Sequence, residues 1–242
     1  MPMKVIDFHT HILPAIDDGS KSVEESIALL KEEKAQGIDI VVVTPHFYPQ
    51  HDRPEKFLAR RKRAYDALVE EIEPDDNLPH IIQGAEVYYF NGIGQWEGLR
   101  DFTIENTKYV LLEMPMTKWT DRMYDDIADI YRSQGLIPII AHLDRYINIF
   151  NVKGIVSRLE ALNVIVQANA SFFTDRSTRK LALKLLKNNV INILGSDCHN
   201  TDSRKPNLRE AVDIIVEQLG ESYIEYVNLA ENKILSGLVI TN

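Results

Sequence analysis

A single cysteine in 242 residues leaves no partner for an internal disulfide and suits a reducing compartment. No apolar run approaches the roughly 18–20 residues of a membrane span, and the N-terminus lacks the apolar core of a signal peptide. A cytoplasmic location with no membrane insertion is the expectation. Positive charge is also scarce: 27 Lys and Arg stand against 36 Asp and Glu, a formal net charge of −9, with a pI near 5.3. That balance argues against nucleic acid as a partner through bulk electrostatics. Internal repeats and low-complexity stretches are absent. What remains is a chain with an ordinary 45% apolar content, long enough to be read as one domain over residues 1–242.

Seven apolar, strand-like runs begin near Val5, Ile38, Ile81, Tyr109, Ile137, Val164 and Ile191. A strand, a helix and two short loops need about 25–30 residues, so this spacing predicts serial β/α units and a mostly parallel sheet. Most intervening segments read as helices. Ser22 and Glu25 form a capping box ahead of Val23, Ile27 and Leu30. Pro54 suits a first turn before Phe57, Arg61, Ala64 and Leu68, with a stop near Pro74. Met123, Ile127 and Ile130 repeat the helical spacing, as do Leu181, Leu185 and Leu186, and Leu208 to Leu219 form a stripe ended by Gly220. The glycines between Phe90 and Thr107 suggest an extended loop. Periodicity alone leaves open a doubly wound sheet or a barrel. Either architecture places chemistry at the carboxyl ends of the strands.

Those ends are where the polar residues fall. Strand one ends in His9 and His11, two residues that share one face of an extended segment and can converge on one point. Strand two ends in His46, strand three in Glu86, strand four in Glu113 and strand five in His142. Strand seven ends in Asp197-Cys198-His199, and Asp18 lies on the first loop. His-x-His alone is a weak signal. Six strands delivering an imidazole or carboxylate at one end is a poor fit to chance. Five histidines and four carboxylates exceed the four ligands of a structural zinc site and suit two or three divalent cations, with Glu86 and Glu113 as bridges. Mixed imidazole and oxygen ligation fits manganese, iron or zinc.

His9-Thr10-His11, Asp17-Asp18-Gly19, Thr44-Pro45-His46, Glu86, Glu113, His142-Leu143-Asp144-Arg145 and Ser196-Asp197-Cys198-His199 together resemble the polymerase and histidinol phosphatase (PHP) superfamily. Within it, the chain is similar to the manganese-dependent protein-tyrosine phosphatases of Gram-positive capsule and exopolysaccharide operons. The resemblance runs essentially end to end. It implies an α/β fold, a distorted TIM-like barrel of seven β/α units, holding a trinuclear site ligated by His9, His11, Asp18, His46, Glu86, Glu113, His142, Asp197 and His199. It places Arg145 and Arg204 at the phosphate clamp, where a planar guanidinium meets phosphate oxygens bidentately. The implied reaction is attack on phosphorus by a hydroxide shared between cations. The implied partner is a phosphotyrosine protein, the tail of a bacterial tyrosine kinase that controls polysaccharide export. Other readings of the same residues are a small-molecule phosphatase such as a histidinol phosphatase, a PHP nuclease, or a non-catalytic metal-binding module.

Several other polar and aromatic residues, Cys198 among them, read as having no role in the reaction. Cys198 and Arg204 have the Cys-x5-Arg spacing of cysteine-dependent tyrosine phosphatases, but Asp202 inside the loop would oppose phosphate, and Cys198 reads as the middle of an Asp-x-His motif. His51 reads as a solvated loop residue and His80 as lying at the opposite end. Trp96, Trp119 and Tyr48 read as packing, although each could stack on a phosphotyrosine ring. Asp125-Asp126 and Glu70-Glu71 read as solvated helix faces.

Overall fold

Short strands that are apolar on both faces must be covered on both sides, which parallel strands with crossover helices accomplish. The computed structural model describes residues 4–73, 76–147 and 152–237 and shows that arrangement. Its strands are β1 (Ile6–Thr10), β2 (Ile40–Val43), β3 (His46–Phe47), β4 (His80–Gln83), β5 (Glu86–Tyr88), β6 (Tyr109–Glu113), β7 (Ile137–Ile140), β8 (Ile165–Asn169) and β9 (Ile193–Gly195). Between and after them run α1 (Val23–Ala35), α2 (Pro54–Glu70), α3 (Asp121–Gln134), α4 (Leu143–Ile147), α5 (Val152–Glu160), α6 (Ser171–Thr174), α7 (Arg179–Lys187), α8 (Leu208–Leu219) and α9 (Glu221–Leu235). Ser22 caps α1 by accepting from the Glu25 amide at 3.2 Å, while the Glu25 carboxylate accepts from the amide of Lys21. The predicted stop at Pro74 lies outside the described residues.

All the strand pairs are parallel, in the orders β1-β2-β4 and β3-β5-β6-β7-β8-β9. Seven predicted strands become nine because two of them break. Pro45 has no N–H for the ladder and separates β2 from β3, and Gly84-Ala85 separates β4 from β5. The breaks lie side by side, with the Gly84 amide on the Val43 carbonyl and the Glu86 amide on that of Pro45. The curled sheet closes where β1 meets β9, through a Thr10–Cys198 bridge, His11 N–H to the Cys198 carbonyl at 2.9 Å and Asp197 N–H to the His9 carbonyl at 2.8 Å. This is the distorted barrel, not the doubly wound alternative.

Alternate strand residues feed two cores. Ile6, Phe8, Val42, Leu111, Ile139 and Ile193 pack inside the barrel with Ala230 and Ile234 of α9. Val41, Val43, Val110, Leu112, Ile140 and Val166 pack outward with the helices. The β1–β2 register slips between Asp7 and Thr10, a β-bulge. Such a bulge re-aims the side chains that follow it.

Sequence patterning missed some elements. The helical spacing stops at Gly220, yet α9 follows it: Val227, Ala230 and Ile234 are buried on one face, but Glu231 is buried among them and Leu229 is 48% exposed, which blurs the stripe. Residues 90–107 contain two short 3-10 turns, Ile93–Gln95 and Glu97–Phe102, within the expected loop. Asp126 corrects its reading as a solvated face. It is buried and accepts from the Tyr89 hydroxyl at 2.6 Å and the Gly92 amide at 3.3 Å. Asp125, Glu70 and Glu71 are exposed.

At Gly195 a Cβ would lie 2.6 Å from the Cβ of His9 and 3.0 Å from the side-chain nitrogen of Gln167. Only glycine lets β9 approach β1 this closely. Gly195→Ala should therefore cost about 1–3 kcal/mol of stability, read as a lowered urea midpoint. An unchanged midpoint would show that the seam has slack.

Candidate metal centre

The side chains that end the strands meet inside the barrel mouth. His9 and His11 bring their Nε2 atoms to 3.1 Å of each other. Glu86 lies among four imidazoles: its carboxylate is 3.1 Å from His9, 3.3 Å from His11, 3.0 Å from His46 and 2.8 Å from His142. Glu113 stands 3.6 Å from His142 and 3.7 Å from His46. Asp197 is 3.6 Å from His9, 3.5 Å from His11 and 3.6 Å from His199. Asp18 joins from the first loop, 3.5 Å from His46 and 3.4 Å from His199. Arg145 pairs with Asp197 and lies 3.6 Å from Glu113, while Arg204 reaches Asp197 at 2.9 Å. All nine candidate ligands and both candidate clamp arginines thus form one connected cluster.

Backbone strain helps aim two of them. His142 and Asp197, each just past its strand, have φ of 34° and 57°. This left-handed region is uncommon for residues other than glycine, and His and Asp are among those that tolerate it best.

Burial alone would push the Glu86 carboxyl up, but the charges of His9 and His46 and the hydrogen bonds from His11 and His142 hold it well below the usual range. His11 is reciprocally raised to about 9, where Asp17 and Glu86 outweigh the opposing effect of burial. His46 is raised to about 9 by Glu86, Glu113 and Asp17, again against burial. The Glu113 carboxyl is raised by burial and by the nearby Glu86 charge.

This donor set fits divalent cations. Three groups of potential ligand atoms lie within 4.8 Å of one another: His11, Asp18, His46 and His199; His9, His11 and Glu86; and His46, Glu86 and Glu113. Among the described residues, the buried Glu113 Oε2 and His199 Nε2, which face the cluster, have no hydrogen-bond partner. Unsatisfied buried donors and acceptors are costly unless a ligand or ion meets them.

The residues that sequence reasoning missed are those that orient the ligands. Asp17 accepts from His11 Nδ1 at 2.8 Å and from the His46 amide at 3.0 Å. Gln167 Oε1 accepts from the His142 amide at 2.6 Å and lies 3.3 Å from His9 Nδ1. The Asp197 carbonyl accepts from His199 Nδ1 at 3.0 Å. Each such bond places the proton on Nδ1 and leaves the Nε2 lone pair toward the cluster, a recurrent arrangement around metal-binding histidines. Asp7 accepts from the amides of His9 and Ser196, tying β1 to β9 just below the site. Asp17 belongs to the Asp17-Asp18-Gly19 motif, where only Asp18 reads as a ligand, and its position there is the signal. Gln167 and Asn169, whose side-chain amide donates to the Asp197 carboxylate at 3.1 Å, lie on β8, the strand without an ionisable terminus, and offer none.

The discounted residues fall elsewhere or have other work. Cys198 is fully buried, 3.6 Å from Glu33, and burial pushes its thiol well above the ordinary value, opposite to what a nucleophile needs. His80 begins β4 at the far end and is exposed. His51 is exposed beside the mouth, and Trp119 is core. Trp96 packs against Phe47, Phe90 and Phe102.

A parallel β/α barrel with imidazoles, carboxylates and two arginines gathered at the carboxyl ends of its strands defines a metallohydrolase-type scaffold. The family model for capsular polysaccharide synthesis, CpsB/CapC, matches residues 5–235, and the chain belongs to that family. It is 32% identical over 228 residues to the tyrosine-protein phosphatase CpsB of Streptococcus agalactiae serotype III (strain NEM316), covering 90% of this chain and 92% of that protein. It is 28% identical over 235 residues to the tyrosine-protein phosphatase YwqE of Bacillus subtilis (strain 168), covering 94% and 89%. A crystal structure from work on YwqE of Bacillus subtilis and CpsB of Streptococcus pneumoniae, described as unique metal-dependent tyrosine phosphatases, matches with a TM-score of 0.83 at 25% identity. That match covers 98% of this chain and 96% of the other.

Two outcomes follow from the geometry. Gln167→Leu frees the His9 ring and the His142 amide, and should weaken metal binding about 10–100-fold with little change in fold, measured by competition with a chelating dye. Unchanged affinity would show that packing alone sets the imidazoles. In metal-free protein, His11 and His46 bind protons more tightly folded than unfolded. Their stabilisation is then fully present below the ordinary value of 6.5 and lost as pH rises through about 9. Urea midpoints of chelated protein should fall across that window; a flat or rising profile contradicts the charge arrangement.

Proposed function

We propose that this chain is a metal-dependent protein-tyrosine phosphatase. The observation that carries the reading is the joint arrival of His9, His11, Asp18, His46, Glu86, Glu113, His142, Asp197 and His199 at one mouth, beside Arg145 and Arg204, in a chain of the CpsB/CapC family. Those nine residues would hold two or three divalent ions, manganese first, with iron or zinc as alternatives. When bound, the ions supply Lewis acidity and water activated at neutral pH.

The protein's own groups bind and orient the ester. The side chains of Arg145 and Arg204 are 31% and 38% exposed and flank Asp197 from the solvent side. They line a cavity of about 400 Å³. Their guanidinium forks meet the phosphoryl oxygens as charge redistributes over them. Asp197 is shared between the arginines and the imidazoles, so it ties the clamp to the ligand cluster. The leaving phenol has a pKa near 10 and departs more readily than an alkoxide, so no cysteine nucleophile is required. The reading makes the enzyme cytoplasmic, with a phosphotyrosine protein as substrate, namely the tail of a bacterial tyrosine kinase that governs capsule or exopolysaccharide synthesis. No helix among the described residues is long and apolar enough to cross a membrane.

The test is hydrolysis of a phosphotyrosine peptide by chelated protein supplied with manganese, iron or zinc. Activity should vanish with chelator and return with metal, and Arg145→Ala should lower kcat/KM about 10²–10³-fold. Cys198→Ser should leave turnover within a few-fold. Chelator-resistant activity lost in Cys198→Ser would sink the reading.

A further inference from the structure

Two cavities open against the ligand cluster, and they differ in chemistry. The one on the arginine side is lined by Asp144, Asn169, Ser171, Ser196 and Asn207 besides Arg145 and Arg204, and offers no aromatic or branched aliphatic wall. The other, of about 390 Å³, is bounded by Asp18 and His46 at the cluster and by Ile16 and Tyr48 beside them. Ligand sites of this size combine an apolar wall with a few fixed polar groups, and only the second cavity does so. Its two outer charges, Arg60 and Asp52, are paired with each other, so it holds no unpaired cation for an anion.

Tyr48 has a fixed place in that wall. Its ring packs on the imidazole of His46 with centroids 5.0 Å apart and planes 28° apart, and Tyr88 lies 5.5 Å away on the adjoining strand. Two contacts of this kind set the ring's orientation before any substrate arrives, which lowers the ordering cost of binding. Among the described residues the Tyr48 hydroxyl has no hydrogen-bond partner, so nothing draws the side chain away.

We propose that the cavity beside Tyr48 receives the phenyl ring of the phosphorylated residue, and that Tyr48 and Ile16 determine the preference for aryl over alkyl phosphate esters. The proposal rests on the phosphatase reading and adds the direction of the leaving group: phosphoryl oxygens face Arg145 and Arg204, and the ring turns to the side of the cluster bounded by Asp18 and His46. An alkyl ester reaches the same arginines but leaves this wall uncovered.

The experiment uses the metal-loaded full chain, with metal content measured for each variant. A phosphotyrosine peptide is the substrate, and phenylphosphonate and methylphosphonate are compared as competitive inhibitors. Tyr48→Leu should weaken phenylphosphonate and raise the peptide KM roughly 2- to 12-fold, the range of an aromatic pair, with kcat little changed. Methylphosphonate should bind as before. Tyr48→Phe keeps the ring and should match the unmodified protein. Ile16→Trp fills the cavity from the other wall and should also weaken phenylphosphonate selectively, which decides the matter if Tyr48→Leu folds poorly or loses metal. Equal weakening of both phosphonates, or of neither, overturns the proposal, as does a Tyr48→Phe that behaves like Tyr48→Leu. If the unmodified protein hydrolyses no phosphotyrosine peptide with any metal, the phosphatase reading has failed and takes the proposal with it. Peptide turnover with indiscriminate phosphonate binding fails the proposal alone.

Discussion

A carboxylate buried among four imidazoles governs the interior of this protein. Glu86 is 1% exposed and lies 2.8–3.3 Å from His9, His11, His46 and His142. An ionised carboxylate is costly to bury unless charge and hydrogen bonds compensate it, and here four neighbouring imidazoles do so. Those rings come from β1, from the start of β3 and from the end of β7. Their compensation therefore depends on distant strands arriving at the same level. The chemistry of the site and the closure of the barrel are one constraint.

The seam between β1 and β9 shows how that constraint is met. Backbone pairing joins the two strands only near Thr10 and Cys198. Below that point side chains take the ladder positions: Asp7 accepts from Ser196, and Glu231 of α9 accepts from Leu194. Burial raises the carboxyls of both acids, as it does that of Glu33. Keeping acids in an apolar seam is expensive, and Asp7 and Glu231 each satisfy a buried amide that would otherwise stand alone. The strained backbone at His142 and Asp197 belongs to the same economy of a rigid scaffold over-determining its site.

The ligand cluster sits between two unlike cavities, one polar with paired guanidinium groups and one walled by Ile16 and Tyr48. A substrate with an anionic end and an aromatic body spans that asymmetry, and a compact polar phosphate ester fills only half of it.

The sequence by itself determined which residue types stand at which strand ends, because a strand, a helix and two loops occupy a nearly constant length. The parallel sheet, most of the helices and the candidate ligands were legible on that ground. It also carries motifs enough for a resemblance to the metal-dependent tyrosine phosphatases of capsule operons, in line with membership of the CpsB/CapC family. Pairing decided the rest. Ile6 and Phe8 face the inner core, so simple alternation would send His9 outward with Asp7; the bulge in β1 turns it inward, and no residue pattern announces that slip. Gln167, Asn169 and Asp17 acquired their roles from neighbours 25 or more positions away or from a loop's fold. Helix α9 stayed hidden because Glu231 faces inward to meet an amide of β9. Periodicity reports which face of an element is apolar. Only the tertiary structure reports which polar group each buried atom finds, since that partner comes from elsewhere in the chain.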